Sequence, residues 1–147
     1  NYPRTVSWVR LACRGTGKTL LYANTHFDYE PSAIDGDARC LRQWLDRHCR
    51  EMPCIVTGDF NADKRSDAYR LLTDGGNLLD ALRQVAPQGG NESTFHAFGR
   101  PEEQAAIDWI LVSSHFRVTE ARIDRSCHGH LFPSDHYPIT AVLDWQR

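Results

Sequence analysis

The sequence lacks any Cys-x-x-Cys pair, although its 147 residues include five cysteines. An odd number of scattered cysteines does not fit a disulfide framework or a zinc knuckle, so we expect reduced thiols in the core and favour a cytoplasmic location. The sequence also lacks an apolar run long enough to cross a membrane, and it shows no signal peptide. It begins without a methionine, and we expect that it starts inside a longer protein.

An excess of charge of either sign is missing too, because the formal net charge is −2. The chain therefore has no general attraction for polyanions. A cleft that carries a metal ion can still be locally positive, which leaves a nucleic-acid substrate open. The 41% hydrophobic and 24% charged residues are typical of a globular protein. A chain of this length can bury a real core as one domain, residues 1–147.

Apolar patterns predict a mixed α/β domain with about seven strands and two or three helices. Helical spacing predicts an amphipathic helix over residues 35–50, Ser66 is a suitable N-cap for a short second helix, and residues 77–85 fit a third. The apolar stripe of the first helix consists of Ala38, Leu41, Leu45 and Cys49. The runs that predict strands are residues 5–13, 19–27, 54–60, 93–98, 105–113, 116–123 and 137–145.

The run ACRGTGKT resembles the end of a phosphate-binding P-loop, because Gly17-Lys18-Thr19 follows a predicted strand. The P-loop signature requires a glycine at position 12, where this chain has alanine, and a helix directly after Thr19. The residues after Thr19 have a strand pattern instead. We therefore expect a β-hairpin turn, and a P-loop nucleotide hydrolase stays as a remote alternative.

Polar side chains stand at or beside the ends of four apolar runs. They are His26 and Asp28, Asp59 and Asn61, Asp108, and Asp135 and His136. Taken alone, each group fits a turn, a helix cap or a hydrogen-bonded core acid. Strand ends at one edge of a sheet, however, are common positions for sites in α/β proteins. Together these side chains suit metal-assisted phosphoryl chemistry, because Mg²⁺ prefers oxygen ligands and the reaction needs a base and fixed donors.

Four motifs in a fixed order carry a family resemblance. They are Asn24-Thr25-His26-Phe27-Asp28, Gly58-Asp59-Phe60-Asn61, Ile107-Asp108-Trp109-Ile110 and Ser134-Asp135-His136, with STFHAFG before the third. They resemble the second half of the endonuclease/exonuclease/phosphatase superfamily, whose fold is shared with deoxyribonuclease I. The resemblance spans residues 6–143. It implies an α/β (α+β) fold with one mostly antiparallel mixed β-sheet and flanking helices, which is half of a four-layer α/β/β/α sandwich.

The resemblance also implies catalytic roles for individual side chains. His26 resembles the residue that hydrogen-bonds the scissile phosphate, and it is a candidate general acid. Asp59 and Asn61 resemble the pair that orients the attacking water and a phosphate oxygen, so Asn61 is also a candidate substrate contact. His136 resembles the histidine that contacts the phosphoryl group, and Asp108 resembles the acid that holds its imidazole.

The metal site that the resemblance implies is incomplete in this chain. Asp135 resembles a ligand for Mg²⁺, with Mn²⁺ as an alternative, whereas the family's first half supplies a glutamate ligand and the second sheet. His96, within STFHAFG, is a further candidate for contact with the substrate. Asp28 is given no role beyond shaping its loop.

The implied function is a metal-dependent phosphoesterase that hydrolyses a phosphodiester or a phosphomonoester by attack of a metal-assisted water. A non-catalytic half-domain that acts as a binding or assembly module is the main alternative. The strands CIVTG and AAIDWILV look apolar on both faces, and such strands need cover on both sides. We therefore expect the missing N-terminal half, or another chain, to cover one face of the sheet.

Overall fold

The computed structural model describes residues 3–74, 78–87, 91–100 and 105–146. In chain order its elements are β1 (Val6–Ala12), β2 (Thr19–His26), α1 (Pro31–His48), β3 (Cys54–Asp59), α2 (Asp67–Thr73), β4 (Leu78–Asp80), α3 (Ala81–Val85), β5 (Asp108–Ser113), β6 (Phe116–Ile123) and β7 (Ile139–Trp145). Five strands form a sheet in the order β1-β2-β3-β5-β4, and β6 pairs with β7 in a second sheet. Only β2 and β3 run parallel in the larger sheet. The predicted α/β class with a mostly antiparallel mixed sheet is confirmed.

Helix α1 covers one face of the larger sheet. Its predicted apolar stripe is buried in one cluster with β2, β3 and β5, whose inward side chains include Ala23, Val56 and Leu111. The helix begins at Pro31 rather than at residue 35, because a proline is well accommodated in the first turn, where its missing N–H is not needed. The periodic spacing of apolar residues thus located the helix and its buried face correctly.

Glycine at position 58 allows β3 to lie beside β2. A Cβ atom on Gly58 would stand 2.1 Å from the backbone oxygen of Thr25, a distance that no side chain tolerates. The pairing of β2 with β3 places His26 beside Asp59. The glycine therefore permits the strand contact that brings two of the predicted site residues together.

The β1–β2 connection is a hairpin turn. The N–H of Cys13 donates to the oxygen of Lys18 over 2.8 Å, and the N–H of Gly17 donates to the oxygen of Cys13 over 2.8 Å. Gly17 has φ of +69°, a left-handed conformation that favours glycine. Thr19 begins strand β2 rather than a helix, so the P-loop alternative is wrong and the predicted turn is confirmed.

The helix predicted over residues 77–85 is wrong in its first part. Leu78–Asp80 forms the short strand β4, which pairs with β5, and α3 begins only at Ala81. The side chain of Asp80 accepts the N–H of Leu82 and caps α3, so the side chain of a single residue marks the change from strand to helix. Residue 77 lies outside the described residues.

The strand predicted over residues 93–98 is also wrong. Phe95 makes isolated bridges with Ala105 and His136, but the chain then turns through Ala97, Phe98 and Gly99, which all have positive φ. Its threonine and phenylalanine residues, which favour strands, gave the segment its strand pattern. Its backbone instead lies between the segment at Ala105 and the segment at His136.

The face of the sheet opposite α1 is only partly covered by the described residues. Val9 and Leu11 of β1 are 45% and 47% exposed. On β2 and β3, the Asn24 amide donates to the Thr57 hydroxyl over 2.9 Å, and the hydroxyls of Tyr22 and Thr57 are hydrogen-bonded to each other at 2.9 Å. This face is therefore partly polar, and less apolar than the sequence pattern suggested.

The cysteines divide between the interior and the surface. Cys49 and Cys54 are buried, whereas Cys13, Cys40 and Cys127 are exposed. The expectation that the thiols belong to the core is therefore wrong for three of them. Among the described helices, none is long and apolar enough to cross a membrane.

Candidate active site

Three strands place three of the predicted residues side by side. His26 is the last residue of β2, Asp59 is the last residue of β3, and Asp108 is the first residue of β5. Strand pairing puts His26 opposite Asp59 and Asp59 opposite Asp108. The His26 Nε2 atom lies 3.4 Å from Asp59 Oδ2. The parallel and antiparallel pairings together gather these ends at one edge of the sheet.

His136 joins this row from the segment before β7. Its Nδ1 atom lies 2.7 Å from Asp108 Oδ2, and its Nε2 atom lies 3.9 Å from Asp59 Oδ2. Its backbone N–H donates to the Ser134 hydroxyl over 3.1 Å. One imidazole nitrogen is thus held by Asp108, and the other faces Asp59.

The charges of the two acids act on the protonation of the site. Burial alone would lower the pKa of His136, but the hydrogen bond to Asp108 and the negative charges of Asp108, Asp59 and Asp135 outweigh it and raise that pKa. Burial raises the pKa of Asp59, with help from the charge of Asp108 and against the hydrogen bond from the Asn61 N–H. The site therefore favours a protonated imidazole next to a carboxylate that is costly to ionise.

Asn61 holds Asp59 in place through its backbone. Its N–H donates to Asp59 Oδ1 over 2.9 Å, and its side-chain Nδ2 donates to the Phe27 carbonyl oxygen over 3.0 Å. Its φ of +48° is a left-handed conformation that asparagine tolerates better than most residues. These contacts tie the end of β3 to the end of β2.

Asp28 does not share the environment of His26. The side chain of His26 is 60% exposed, whereas that of Asp28 is 6% exposed. The N–H of Glu30 donates to Asp28 Oδ1 over 2.9 Å, and this bond, opposed by burial and aided by Arg4, lowers the Asp28 pKa. Alternation along a strand does not apply to the two residues, because β2 ends at His26. Asp28 shapes the approach to α1.

Asp135 and His96 contact each other through the backbone. The Asp135 carbonyl oxygen accepts the N–H groups of His96 and Ala97, and the Asp135 carboxylate accepts the Ser134 hydroxyl over 3.3 Å. The His96 side chain is buried, its ring stacks on Tyr137 with centroids 3.8 Å apart, and its Nδ1 accepts the Gly99 N–H. Only 1% of His96 is exposed, so its side chain lies in the interior against Tyr137, and its contact with a substrate stays a prediction.

A cleft of about 410 Å³ opens beside the row of strand ends. Its lining residues are Tyr22, Asn24, Thr57, Gly58, Asp59, Asp108, Trp109, Ile110, Ser134, His136, Tyr137, Pro138 and Ile139. Tyr22, Asn24 and Thr57 were not among the sequence candidates. Asn24 and Thr57 stand two residues before His26 and Asp59, and Tyr22 stands four residues before His26. These even spacings put all three on the same sheet face, and that alternation is the signal that could have found them.

The donors at this edge suit a hard divalent cation in part. One ligand atom from each of Asp59, Asp108 and His136 lies within 4.8 Å of the others. Mg²⁺ takes about six oxygen ligands, so two carboxylates leave room for water, substrate and further acids. Asp108 already accepts from His136, and Asp135 does not belong to this group of three.

The profile of the Endonuclease/Exonuclease/phosphatase family matches residues 2–136. The chain belongs to this family. A family member from Bacteroides vulgatus shares 31% identity at a TM-score of 0.84, with 97% of this chain and 56% of that chain covered. A mannosyl-6-phosphatase of Bacteroides thetaiotaomicron VPI-5482 shares 27% identity at a TM-score of 0.81, with 97% and 58% covered.

Mouse nocturnin is 26% identical over 152 aligned positions, which cover 92% of this chain and 35% of the relative. The chain therefore spans between about a third and three fifths of the length of these relatives. Family members are phosphoesterase hydrolases, and the neighbours share a mixed α/β fold with this chain.

Proposed function

We propose that this protein is a metal-dependent phosphoesterase that hydrolyses a phosphodiester or phosphomonoester by attack of water. The observation that carries the proposal is the convergence of His26, Asp59, Asp108 and His136 at one sheet edge beside an open cleft. Two carboxylates and two imidazoles in this arrangement provide proton acceptors and donors within reach of one bound phosphate.

The side chains divide the proton transfers between them. Protonated His136, held by Asp108, donates from Nε2 to a phosphoryl oxygen and stabilises the charge that develops there. Asp59 orients the attacking water and accepts its proton, and Asn61 fixes the Asp59 carboxylate and contacts a phosphate oxygen. Exposed His26 donates a proton to the leaving oxygen. Each proton therefore has a donor and an acceptor among these residues.

The carboxylate of Asp135 is the ligand that we assign to the metal, as the family resemblance implies, with Mg²⁺ preferred and Mn²⁺ as an alternative. When bound, the cation supplies positive charge next to the phosphate and makes water easier to deprotonate. A glutamate from outside the chain would add a further oxygen ligand. Asp108 keeps its hydrogen bond to His136 in this assignment.

We also propose that a further segment or another chain covers the sheet face opposite α1. The half-exposed Val9 and Leu11 side chains support this, since both lie on an edge strand that the described residues leave open. The same partner would complete the metal site. Because the same partner would cover the sheet and complete the metal site, activity is best measured on the natural full-length protein.

The test is hydrolysis of 4-nitrophenyl phosphate and bis(4-nitrophenyl) phosphate, a monoester and a diester, by the full-length protein with Mg²⁺. We expect activity that a chelator abolishes and added Mg²⁺ restores, and the better substrate identifies the ester class. The mannosyl-6-phosphatase relative favours the monoester. A Lys18→Ala variant should keep its activity, because Lys18 lies in the β1–β2 turn.

An inactive full-length protein that binds the metal or a phosphorylated ligand would overturn the catalytic proposal. That result would favour the binding-module alternative. Activity that persists without any divalent cation would contradict the metal requirement while leaving hydrolysis in place.

A further inference from the structure

We infer that Thr94 is a positioning residue, whose hydroxyl locks the segment that presents Asp108 to the segment that presents His136. This inference rests on the proposed function, because it concerns the geometry of the same pair. Thr94 is buried with 0% exposure, and it touches neither the cleft nor the imidazole in the described contacts. Its effect on the reaction must therefore pass through the Asp108–His136 pair.

The Thr94 hydroxyl makes all its hydrogen bonds to the segment that leads to Asp108. It accepts the N–H of Ile107 and the N–H of Asp108, each over 3.1 Å, and donates to the Ala105 oxygen over 3.3 Å. A hydroxyl has one donor and two acceptor sites, so all three are engaged. The Thr94 side chain thus holds the backbone at the start of β5, in addition to the pairing of Asp108 with Asp59 in β3.

The Thr94 backbone reaches the other side of the pair. Its carbonyl oxygen accepts the N–H of Tyr137 over 2.7 Å, directly after His136, while neighbouring Phe95 bridges His136 itself. Thr94 therefore bonds the backbone of Asp108 directly and the backbone of Tyr137, the residue next to His136.

The segment around Thr94 is itself anchored independently of the hydroxyl. Arg125 donates to the oxygens of Asn91 and Ser93 and lies over the Tyr137 ring, 4.8 Å from its centroid. The Thr94 N–H also donates to the Ala105 oxygen over 2.8 Å. Removal of the hydroxyl should therefore leave the segment in place and release mainly the N–H groups of Ile107 and Asp108.

The decisive variant is Thr94→Val, which keeps the size and branching of the side chain but cannot accept either N–H. Small misplacements of a catalytic group can cost up to about 100-fold in rate, so we expect kcat for the more reactive nitrophenyl ester to fall by at least about 10-fold. We expect KM to change by less than about twofold, since the cleft lining is retained. Thr94→Ser, which keeps the hydroxyl, should recover most of the lost rate.

The matched control is Ser93→Ala, which removes the neighbouring buried hydroxyl. That hydroxyl donates to the Phe95 oxygen over 2.9 Å and makes no bond to the N–H of Asp108. The control should keep the kcat of the wild type. Equal losses in Thr94→Val and Ser93→Ala, or a loss in Thr94→Val that appears only in KM, would overturn the inference.

Two NMR measurements separate this inference from the proposed function, because neither needs turnover. The Nδ1–H proton of His136 should give a downfield signal from its hydrogen bond to Asp108, and Thr94→Val should weaken or broaden it while Ser93→Ala leaves it unchanged. In the wild-type protein the amides of Ile107 and Asp108 should exchange slowly with solvent. Rapid exchange of both amides would refute the inference even if Thr94→Val does not fold, and a signal unchanged in a folded Thr94→Val would do the same.

Discussion

Two groups of charged side chains in this fold differ in how completely their charges are compensated. In the first, Lys64 Nζ lies 2.7 Å from Asp80 Oδ2 and 2.6 Å from Glu92 Oε2. Tyr69 donates its hydroxyl to Asp80, and Arg83 lies 3.0 Å from Glu92. Both acids thus meet a cation, and the buried side chain of Lys64, 4% exposed, meets both acids.

The second group is the candidate active site, where compensation is incomplete. Asp59 and Asp108 lie on neighbouring strands, and the basic side chains paired with them among the described residues are His26 and His136. Burial raises the pKa of Asp59, so its negative charge is disfavoured by the fold. Such uncompensated charge is typical of sites that a ligand completes.

The difference separates side chains that hold the fold from side chains that perform chemistry. The Lys64 group ties Asp80 at the end of β4 and the loop residue Glu92 to the connection between β3 and α2. The site leaves charges available for a phosphate and a cation. Substitutions in the Lys64 group should therefore lower mainly stability, and substitutions in the candidate active site should lower mainly activity.

The largest expected effect is the loss of stability in Lys64→Met. Removal of the ammonium leaves Asp80 and Glu92 buried without their shared cation, and breaking such a pair typically costs about 3–5 kcal/mol. Urea unfolding followed by circular dichroism would measure the change. The control is Arg65→Met, whose side chain is 92% exposed and pairs with Asp63 at the surface; its unfolding curve should match the wild type. If both variants unfold alike, the Lys64 group does not hold the fold.

The next effect is the loss of turnover in His136→Ala. Removal of one preorganised donor typically lowers kcat by about 10²–10³-fold, whereas the free energy of unfolding should change far less, because the imidazole borders the cleft. Assays of the full-length protein with the two nitrophenyl esters, together with urea unfolding, would measure both. His48→Gln, on the helix end away from the site, serves as the control. Near-wild-type turnover in His136→Ala would refute the assigned role.

Most of the fold could be predicted from the sequence because its helices and strands have clear periods. The apolar stripe of α1 extends over about three turns, and Ser66 indeed caps α2 by accepting the Tyr69 N–H. Two segments were wrong where local pattern and tertiary contacts disagree. Residues 93–98 look like a strand, yet Phe95 pairs with two different segments at single points.

For the candidate site, the sequence predicted which residues belong together better than it predicted how they are arranged. The motif order indicated that His26, Asp59, Asp108 and His136 belong together, and the contact between Asp108 and His136 was expected. The buried position of His96 could not be predicted, because stacking on Tyr137 depends on contacts between distant segments. For the same reason, nothing in the sequence distinguished the hydroxyl of Thr94 from that of Ser93.

The smallest expected effect is a gain of stability in Asp59→Asn. This variant tests directly whether the fold leaves the Asp59 charge uncompensated. Burial raises the pKa of Asp59 above its ordinary value of about 3.9. Between the ordinary and the raised pKa the folded state binds more protons than the unfolded state, so stability falls as the pH rises through this range. The penalty is complete above the raised pKa, and asparagine, which does not ionise, avoids it.

In metal-free buffer we therefore expect Asp59→Asn to unfold at a higher temperature than the wild type at pH 7. The gain should shrink as the pH falls through the raised pKa of Asp59 and be gone below about pH 4. In assays with Mg²⁺ the same variant should lose turnover. The control is Asp46→Asn, because a hydrogen bond from Arg42 lowers the pKa of Asp46 and its ionised form stabilises the fold. This control should lose rather than gain stability at pH 7. Thermal unfolding of both variants across the pH range decides the matter: an Asp59→Asn protein that is less stable than the wild type at pH 7 would mean that the fold compensates the Asp59 charge, as it compensates those of Asp80 and Glu92.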